Sequence, residues 1–257
     1  MILLLGGTSD TSPIALRMAQ EDYRVLVSRA TDVPLETAEH PNIETRCGPL
    51  DHRGLRELVD RRAIRAIVDA THPYAVGIRA TASRVAKEKR IPYLSFVRPA
   101  AVDSTTPGMQ FAPDHPAAAA AAFRRGRPVL LTTGTRNLGP YVEQARRTGL
   151  PLIVRALDHP ESLDACRRAG IPPEHVLACR GPFSVEENRR HLRAFGIGVL
   201  VTKDGGAAGG TAEKLQAARA EGCEVVVVAR PELEEERAFT DIEAIIQALA
   251  DASIPLD

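Results

Sequence analysis

Short runs of β-branched and leucine residues alternate with helical patterns along the whole chain, and this alternation constrains the fold more than any other feature. It is typical of βαβ units, in which parallel strands form a sheet and helices cover its faces. The sequence therefore predicts an α/β protein. The predicted strands are residues 2–5, 24–27, 43–45, 66–70, 93–97, 129–132, 152–155, 176–178, 197–201 and 224–229. The predicted helices are residues 13–20, 54–60, 78–89, 117–124, 141–148, 185–195 and 211–221.

The two halves of the chain look like copies of one plan. Each begins with a strand that runs into a Gly-Thr turn, each has a fourth strand that ends in a polar turn, and each fifth strand ends in Arg-Pro. We therefore predict two Rossmann-like parallel-sheet domains that face each other across a cleft, at residues 1–99 and 100–257, with the Pro- and Gly-containing segment 98–116 as linker. The paired features are Gly7-Thr8 with Gly134-Thr135, residues 69–72 with 202–206, and Arg98-Pro99 with Arg230-Pro231.

Composition and charge exclude several classes of protein. Basic and acidic residues number 33 each, so the formal net charge is zero, whereas nucleic-acid binders show a basic excess. The apolar stretches are shorter than the ~20 residues that a membrane span needs, and the N-terminus has no basic leader or cleavage pattern. We expect a cytoplasmic protein that binds neither nucleic acid nor membranes. The four cysteines lack paired C-x-x-C spacing, which argues against a metal site.

Glycine follows the first predicted strand directly, in the segment Gly6-Gly7-Thr8-Ser9. Glycine lets a phosphate approach the backbone, and the N-terminus of the next helix supplies N–H donors and a positive dipole. We expect these four residues to hold the pyrophosphate of a dinucleotide. The full G-x-G-x-x-G spacing is absent, so a tight turn without a ligand stays an alternative.

The second predicted strand ends in a hydroxyl and a guanidinium, Ser28 and Arg29. Enzymes that use NAD place an acid here for the ribose 2′-hydroxyl, whereas NADP sites use arginine for the 2′-phosphate. No acid occurs before Asp32, which favours NADPH over NADH as the cofactor. An ordinary exposed arginine is the alternative.

The fourth predicted strand ends in the polar turn Asp69-Ala70-Thr71-His72-Pro73-Tyr74. Open parallel sheets bind ligands at the carboxyl ends of their strands, and histidine moves protons near neutral pH. We expect Thr71 to contact the cofactor, with His72 and Tyr74 as candidate catalytic residues. A histidine that only hydrogen-bonds within its turn is the alternative.

Two glycine-containing turns of the second half carry one cation each, at residues 132–136 and 201–210. Backbone N–H groups beside a cation suit an anionic ligand. The Walker pattern G-x-x-x-x-G-K-[ST] is absent, which argues against an ATPase. The candidate ligand-binding residues, together with the arginines that end the fifth strands, are Arg98, Gly134, Thr135, Arg136, Lys203, Asp204 and Arg230.

Several strings of the chain belong together: LLLGGTSD, VDATHPYA, YLSFVRP, TTGTRNL, GPFS, VTKDGG with GGTAEKLQAA, and VVVVARP. Over nearly the full length they resemble the precorrin-6A reductase family of cobalamin biosynthesis. DATHPYA and the T-K-D-G-G string are the most specific. The chain departs from the family pattern at Gly205-Gly206, where Ser-Gly is usual, and at Ala100-Ala101, where an aromatic residue is frequent.

The resemblance implies an NADPH-dependent oxidoreductase that transfers a hydride to the C18=C19 bond of precorrin-6A and adds a proton, giving precorrin-6B. This substrate is a tetrapyrrole with many carboxylates, which the cationic residues of the second half and Arg98 would bind. Two alternatives stay open: the same reduction of cobalt-precorrin-6A, and a non-catalytic sensor that binds NADP or a tetrapyrrole. The proton donor and the oligomeric state are not predicted.

Overall fold

The computed structural model describes residues 1–31, 39–102, 108–206, 210–231 and 237–252. The chain forms two compact units, the first from Met1–Arg98 with Pro231–Asp257 and the second from Pro99–Arg230. Each unit contains a six-stranded sheet in the described residues, and every strand pair in both sheets is parallel. The α/β class with parallel sheets is therefore confirmed.

Strands and helices alternate along most of the described part of the chain. They are β1 (Ile2–Leu5), α1 (Thr11–Gln20), β2 (Val25–Arg29), β3 (Ile43–Cys47), α2 (His52–Arg61), β4 (Ala66–Asp69), α3 (Val76–Lys89), β5 (Tyr93–Phe96), β6 (Met109–Ala112), α4 (His115–Phe123), β7 (Val129–Leu131), α5 (Gly139–Thr148), β8 (Leu152–Ala156), α6 (Pro160–Arg168), β9 (Val176–Ala178), α7 (Val185–Ala194), β10 (Val199–Lys203), α8 (Thr211–Ala220), β11 (Glu224–Val228), β12 (Ala238–Phe239) and α9 (Ile242–Asp251).

The two sheets share one strand order. The first runs β12-β5-β4-β1-β2-β3 and the second β6-β11-β10-β7-β8-β9. In each, the order reverses beside one inner strand, which is β1 in the first unit and β7, the second strand along the chain, in the second unit. This is the topological switch point at which doubly wound sheets bind their ligands.

Buried, β-branched or leucine-rich strands explain why this order is stable. Every residue of β1, β4 and β7 is buried, as parallel strands covered on both faces require. In the first unit, α1 and α9 pack on one face of the sheet, and α2 and α3 pack on the other. No helix in the described part of the chain is long and apolar enough to cross a membrane.

The last segment of the chain corrects the predicted division at residues 1–99 and 100–257. Strand β12 pairs with β5 of the first unit, with Ala238 beside Ser95, and α9 buries Ile245 and Leu249 in the first core. The reason is that the outer edge of β5 and the part of one sheet face beside α1 would otherwise be uncovered. The predicted linker 98–116 likewise contains β6, which pairs with the edge strand β11.

Candidate active site

The glycine turn after β1 is fixed by hydrogen bonds to both neighbouring strands. The N–H of Gly6 donates to the carbonyl of Ser28 at the end of β2 (3.0 Å). On the other side, the hydroxyl of Thr8 donates to the carbonyl of Ala70 just after β4 (3.0 Å). The turn therefore lies at the carboxyl ends of three adjacent strands, where the sequence predicts the pyrophosphate site.

Thr11, the first residue of α1, shapes the same turn. Its Oγ1 accepts the N–H groups of Gly7 (3.1 Å) and Thr8 (3.2 Å), so these two donors are already bonded within the turn. Gly7 has φ +116°, and a Cβ there would meet nothing within 4 Å. The backbone of Gly7 thus faces open space, as the close approach of a ligand requires.

Replacing Gly6 by alanine is expected to lower the free energy of unfolding by about 1–3 kcal/mol, the usual cost of overpacking. The added methyl group would overlap Cγ2 of Thr11 and lie 2.8 Å from its Oγ1. Gly77→Ala in α3 is the matched control, because a Cβ there meets nothing within 4 Å and alanine favours a helix over glycine. Urea unfolding measures both variants, and equal stability of Gly6→Ala and wild type would contradict this packing.

Two arginines lie at the carboxyl ends of the neighbouring strands β2 and β3. Ser28 pairs in register with Arg46, whose Nη1 donates to Ser28 Oγ at 2.6 Å and to the Gly48 carbonyl at 3.0 Å. The Nε atom of Arg29 is buried and has no hydrogen-bond partner among the described residues. The sequence predicts Ser28 and Arg29 but misses Arg46, which the parallel register of β2 with β3 could have revealed.

Arg98 lies beside the glycine turn of the first unit. It forms an ion pair with Asp10, and its Nη2 donates to Ser9 Oγ at 2.9 Å. The structure therefore groups Arg98 with the residues predicted for the cofactor rather than with those of the second half.

A buried charged network fixes the polar turn after β4. Asp69 is fully buried and accepts hydrogen bonds from Thr71 Oγ1 (2.6 Å) and Tyr93 OH (2.6 Å). Arg79, only 4% exposed, lies with Nε 3.8 Å from Asp69 Oδ2 and donates to Thr71 Oγ1. Sequence reasoning did not propose roles for Asp69, Arg79 or Tyr93. Asp69 and Arg79 fix the Thr71 side chain by direct hydrogen bonds, and Tyr93 supports it through Asp69.

His72 is half-buried and faces Tyr74, with ring centroids 5.4 Å apart. Its Nδ1 accepts the backbone N–H of Tyr74 at 3.3 Å. A nitrogen that accepts carries no proton, so this contact places the proton of the neutral imidazole on Nε2. The structure thus brings Thr71, His72 and Tyr74 together in one turn.

The second unit repeats the glycine turn after β7. Gly134 has φ +84°, and a Cβ there would meet nothing within 4 Å, as at Gly7. Arg136 is exposed, and it lies near enough to Lys203, at the end of β10, to influence it. Burial, with a further contribution from Arg136, lowers the pKa of Lys203 to about 8. Gly134, Thr135, Arg136 and Lys203 therefore belong to one end of this sheet.

Asp204 contacts both the first and the last residues of the second unit, near Ala101 and at Arg230. Its buried carboxylate accepts the N–H groups of Ala101 and Gly206 and lies 3.3 Å from Nη2 of Arg230. Arg230 in turn donates to the carbonyl of Pro99 at 3.2 Å. Asp204 and Arg230 are thus engaged within the unit, which suits a positioning role.

Two parallel sheets in the Rossmann order, with a positive-φ glycine in the turn after β1 and in the turn after β7, define a Rossmann-like α/β protein. The family described as precorrin-6x reductase CbiJ/CobK matches residues 1–250. The chain belongs to this family. Its assignment as an oxidoreductase of cobalamin biosynthesis that acts on a carbon–carbon double bond is confirmed, and such a reductase implies a nicotinamide cofactor.

Individual relatives agree with this over almost their whole length. A "Cobalt-precorrin-6A reductase" of Priestia megaterium is 29% identical over 250 residues, covering 97% of this chain and 98% of that protein. A "Precorrin-6A reductase" of Rhodococcus erythropolis is 34% identical over 240 residues, covering 90% of each. The solved structure "CobK precorrin-6A reductase" superposes with a TM-score of 0.79 at 26% identity, covering 98% of this chain and 96% of that one.

Proposed function

We propose that this chain reduces the C18=C19 bond of metal-free precorrin-6A with NADPH, giving precorrin-6B. The observation that carries the choice of cofactor is the arginine pair at the ends of β2 and β3, next to the glycine turn. Arg29 keeps a buried Nε without a described partner, and Arg46 is held against Ser28. Two guanidinium groups and a hydroxyl fit a phosphate monoester. In the described residues, β2 ends in Ser28 and Arg29 rather than in the acid that NAD enzymes place there.

The chain's own residues would bind and orient the cofactor from the first unit. Ser28, Arg29 and Arg46 bind the 2′-phosphate. The glycine turn binds the pyrophosphate through the open side of Gly7 and the hydroxyl of Ser9, while Arg98 balances the charge. The nicotinamide supplies the hydride, and the protein positions it and excludes water.

The polar turn after β4 would supply the proton that is added to the substrate together with the hydride. Thr71 is held by Asp69 and Arg79, and it supports the nicotinamide end of the cofactor. His72 holds a proton at Nε2 because its Nδ1 is an acceptor. His72 is the candidate proton donor in its doubly protonated form, which would release the Nε2 proton and keep the Nδ1 proton, so that Nδ1 gives up the contact to the Tyr74 N–H. Tyr74 packs beside its ring.

The second unit would bind the carboxylates of the tetrapyrrole. Gly134 and Thr135 offer an open turn, and Arg136 and Lys203 offer positive charge at the same sheet end. Lys203 with a pKa of about 8 is mostly protonated at pH 7, so it can pair with a carboxylate there. Asp204 and Arg230 position the segment that carries Lys203.

Cobalt-precorrin-6A is the second candidate substrate, because relatives named for each substrate match this chain. An anaerobic assay of both tetrapyrroles, each with NADPH and with NADH, decides between them. We expect a mass gain of two hydrogens on precorrin-6A with NADPH and little with NADH. Turnover of the cobalt form alone would overturn the choice of substrate.

Arg29→Glu is expected to raise the KM for NADPH about 10–100-fold and to leave the KM for NADH unchanged, because it removes a charge-assisted contact to the 2′-phosphate and adds a repulsive charge. Arg46→Met should act in the same direction. Arg24→Glu is the matched control, since Arg24 is an exposed residue just before the other end of β2. Equal effects on both cofactors would contradict the 2′-phosphate site.

A further inference from the structure

Arg155 is a buried cation that no carboxylate neutralises in the described part of the chain. It lies on β8 and is 8% exposed, with its guanidinium carbon 4.5 Å from the centroid of the Phe183 ring. Its Nη1 donates to Asn188 Oδ1 at 2.7 Å. Asn188 is itself buried and anchored to the Ser184 carbonyl at 2.9 Å. Neutral groups thus hold the guanidinium in one place, and burial lowers its pKa to about 10.

Lys214 is a second cation close to the first. It is the fourth residue of α8, where the helix dipole disfavours positive charge. Within the described ranges its ammonium group makes no hydrogen bond and no ion pair. Burial, then the charges of Arg155 and Lys203, lower its pKa to about 8, although Glu213 and Asp204 act in the opposite sense. Arg155 and Lys214 are therefore close enough for their charges to interact.

In the first unit, the cation at the position equivalent to Lys214 lies beside a carboxylate. Leu5 lies two residues before the positive-φ Gly7, and it pairs with Ser28 on one side and Asp69 on the other. Thr132 lies two residues before Gly134. Extending the pairing of β7 with β8 and with β10 by one residue places Thr132 beside Arg155 and Thr202. Arg79 and Lys214 are both the fourth residue of the helix that follows. The equivalent sets are Ser28, Asp69 and Arg79 in the first unit and Arg155, Thr202 and Lys214 in the second.

The two sets differ in charge. In the first unit the carboxylate of Asp69 offsets Arg79, so the set is neutral. In the second unit, threonine replaces that carboxylate and arginine replaces serine, so the set carries two positive charges. Arg155 is buried and Lys214 is half-buried, and neither has a carboxylate partner among the described residues. A bound anion would offset the cost of holding these two charges there.

We infer that Arg155 and Lys214 form an oxyanion site in the second unit, which binds a carboxylate or phosphate group of a ligand. It lies on the α7–α8 side of the sheet, since Asn188 belongs to α7 and Lys214 to α8. The buried Nδ1 of His191 on α7, which has no hydrogen-bond partner among the described residues, offers a further polar contact. The site itself stands on these contacts. Only its assignment to a substrate carboxylate or a dinucleotide phosphate rests on the proposed function.

Lys214→Met tests the site because it keeps the length of the side chain and removes the charge. The matched control is Arg219→Met, an exposed residue on the same helix. Thermal unfolding of the full chain is followed with citrate, a tricarboxylate, and with inorganic pyrophosphate. We expect at least one of these probes to stabilise wild type and Arg219→Met, and Lys214→Met to lose most of that shift. An unchanged shift in Lys214→Met would overturn the site.

The ligand-free proteins distinguish binding from a structural role. We expect Lys214→Met to unfold at the same or a higher temperature than wild type, because it removes an uncompensated cation. A clear fall in its unfolding temperature without ligand would make Lys214 a structural residue and overturn the proposal. Arg155→Lys is the second variant, since it keeps the charge but not the fork geometry, and we expect it to weaken the probe shift.

Steady-state kinetics then identify the source of the oxyanion. A rise of about tenfold or more in the KM of the tetrapyrrole alone assigns the site to a substrate carboxylate, and the same rise for the dinucleotide alone assigns it to a phosphate. Neither KM changing by more than twofold would overturn the site. If wild type shows no reductase turnover while Lys214→Met loses the probe shift, the proposed function fails and the oxyanion site stands.

Discussion

Asp69→Asn is expected to lower the free energy of unfolding by about 3–5 kcal/mol, the usual cost of leaving a buried charge without its partner. Asparagine has nearly the same shape but only one acceptor oxygen, so it can keep the hydrogen bond from Thr71 or the one from Tyr93, which reach different oxygens of Asp69. The change therefore removes the charge and one acceptor with little change in packing. Arg79, 4% exposed, is then left without its counter-ion. Urea unfolding monitored by circular dichroism measures the loss.

Asp60→Asn is the control for this prediction. Asp60 also pairs with a cation, Lys89, but its side chain is 58% exposed, and an exposed pair contributes at most about 1 kcal/mol. The double variant Asp69→Asn with Arg79→Met should recover part of the loss, because it removes the unpaired charge as well. A loss no larger than that of Asp60→Asn would show that the Asp69–Arg79 pair contributes little.

Local sequence patterns were sufficient for the inner strands of both sheets. Runs such as Ile2–Leu5 and Val129–Leu131 are continuous, apolar and buried on both faces, so the residues themselves specify a parallel strand. Strands β6 and β12 have no such run, and they are strands because β11 and β5 offer free edges. Helix α6 buries only Cys166, so its pattern is weak. Helix α9 has a clear apolar period, although it is absent from the predicted helices.

The membership of the last segment shows the limit of reasoning along the chain. Nothing local to residues 238–251 says which sheet they join, because an amphipathic helix and a two-residue strand fit either unit. The decision depends on which sheet lacks an edge strand and a covering helix, and that is a property of the whole fold. Hence the predicted boundary near residue 100 is close to the observed one, but the prediction wrongly assigned residues 231–257 to the second unit.

The candidate site was predictable where function depends on one strand end and its turn. Ser28 with Arg29 and the turn from Thr71 to Tyr74 are continuous in sequence. The sequence patterns missed Arg46, Arg155 and Lys214. Each becomes a candidate only through a side chain that lies beside it on another strand or helix. Arg46 meets Ser28 only through the β2–β3 register, and Arg155 is notable only because no carboxylate among the described residues neutralises it.

His72→Asn is expected to reduce kcat by about 10²–10⁴-fold, the range that general acid catalysis contributes, with little change in the KM of either substrate. The structure makes asparagine the informative replacement. His72 Nδ1 accepts the N–H of Tyr74, two residues on, and an asparagine carbonyl accepts from the same position in an Asx turn. The turn is therefore preserved while the group that holds a proton at Nε2 is lost. Single-turnover kinetics with NADPH measure the chemical step.

His159→Asn is the matched control, because His159 also precedes proline and lies at the N-cap of α6, where asparagine is favoured. It should leave kcat unchanged. A His72→Asn variant with wild-type kcat would restrict His72 to shaping the turn. The proton would then have to come from another group.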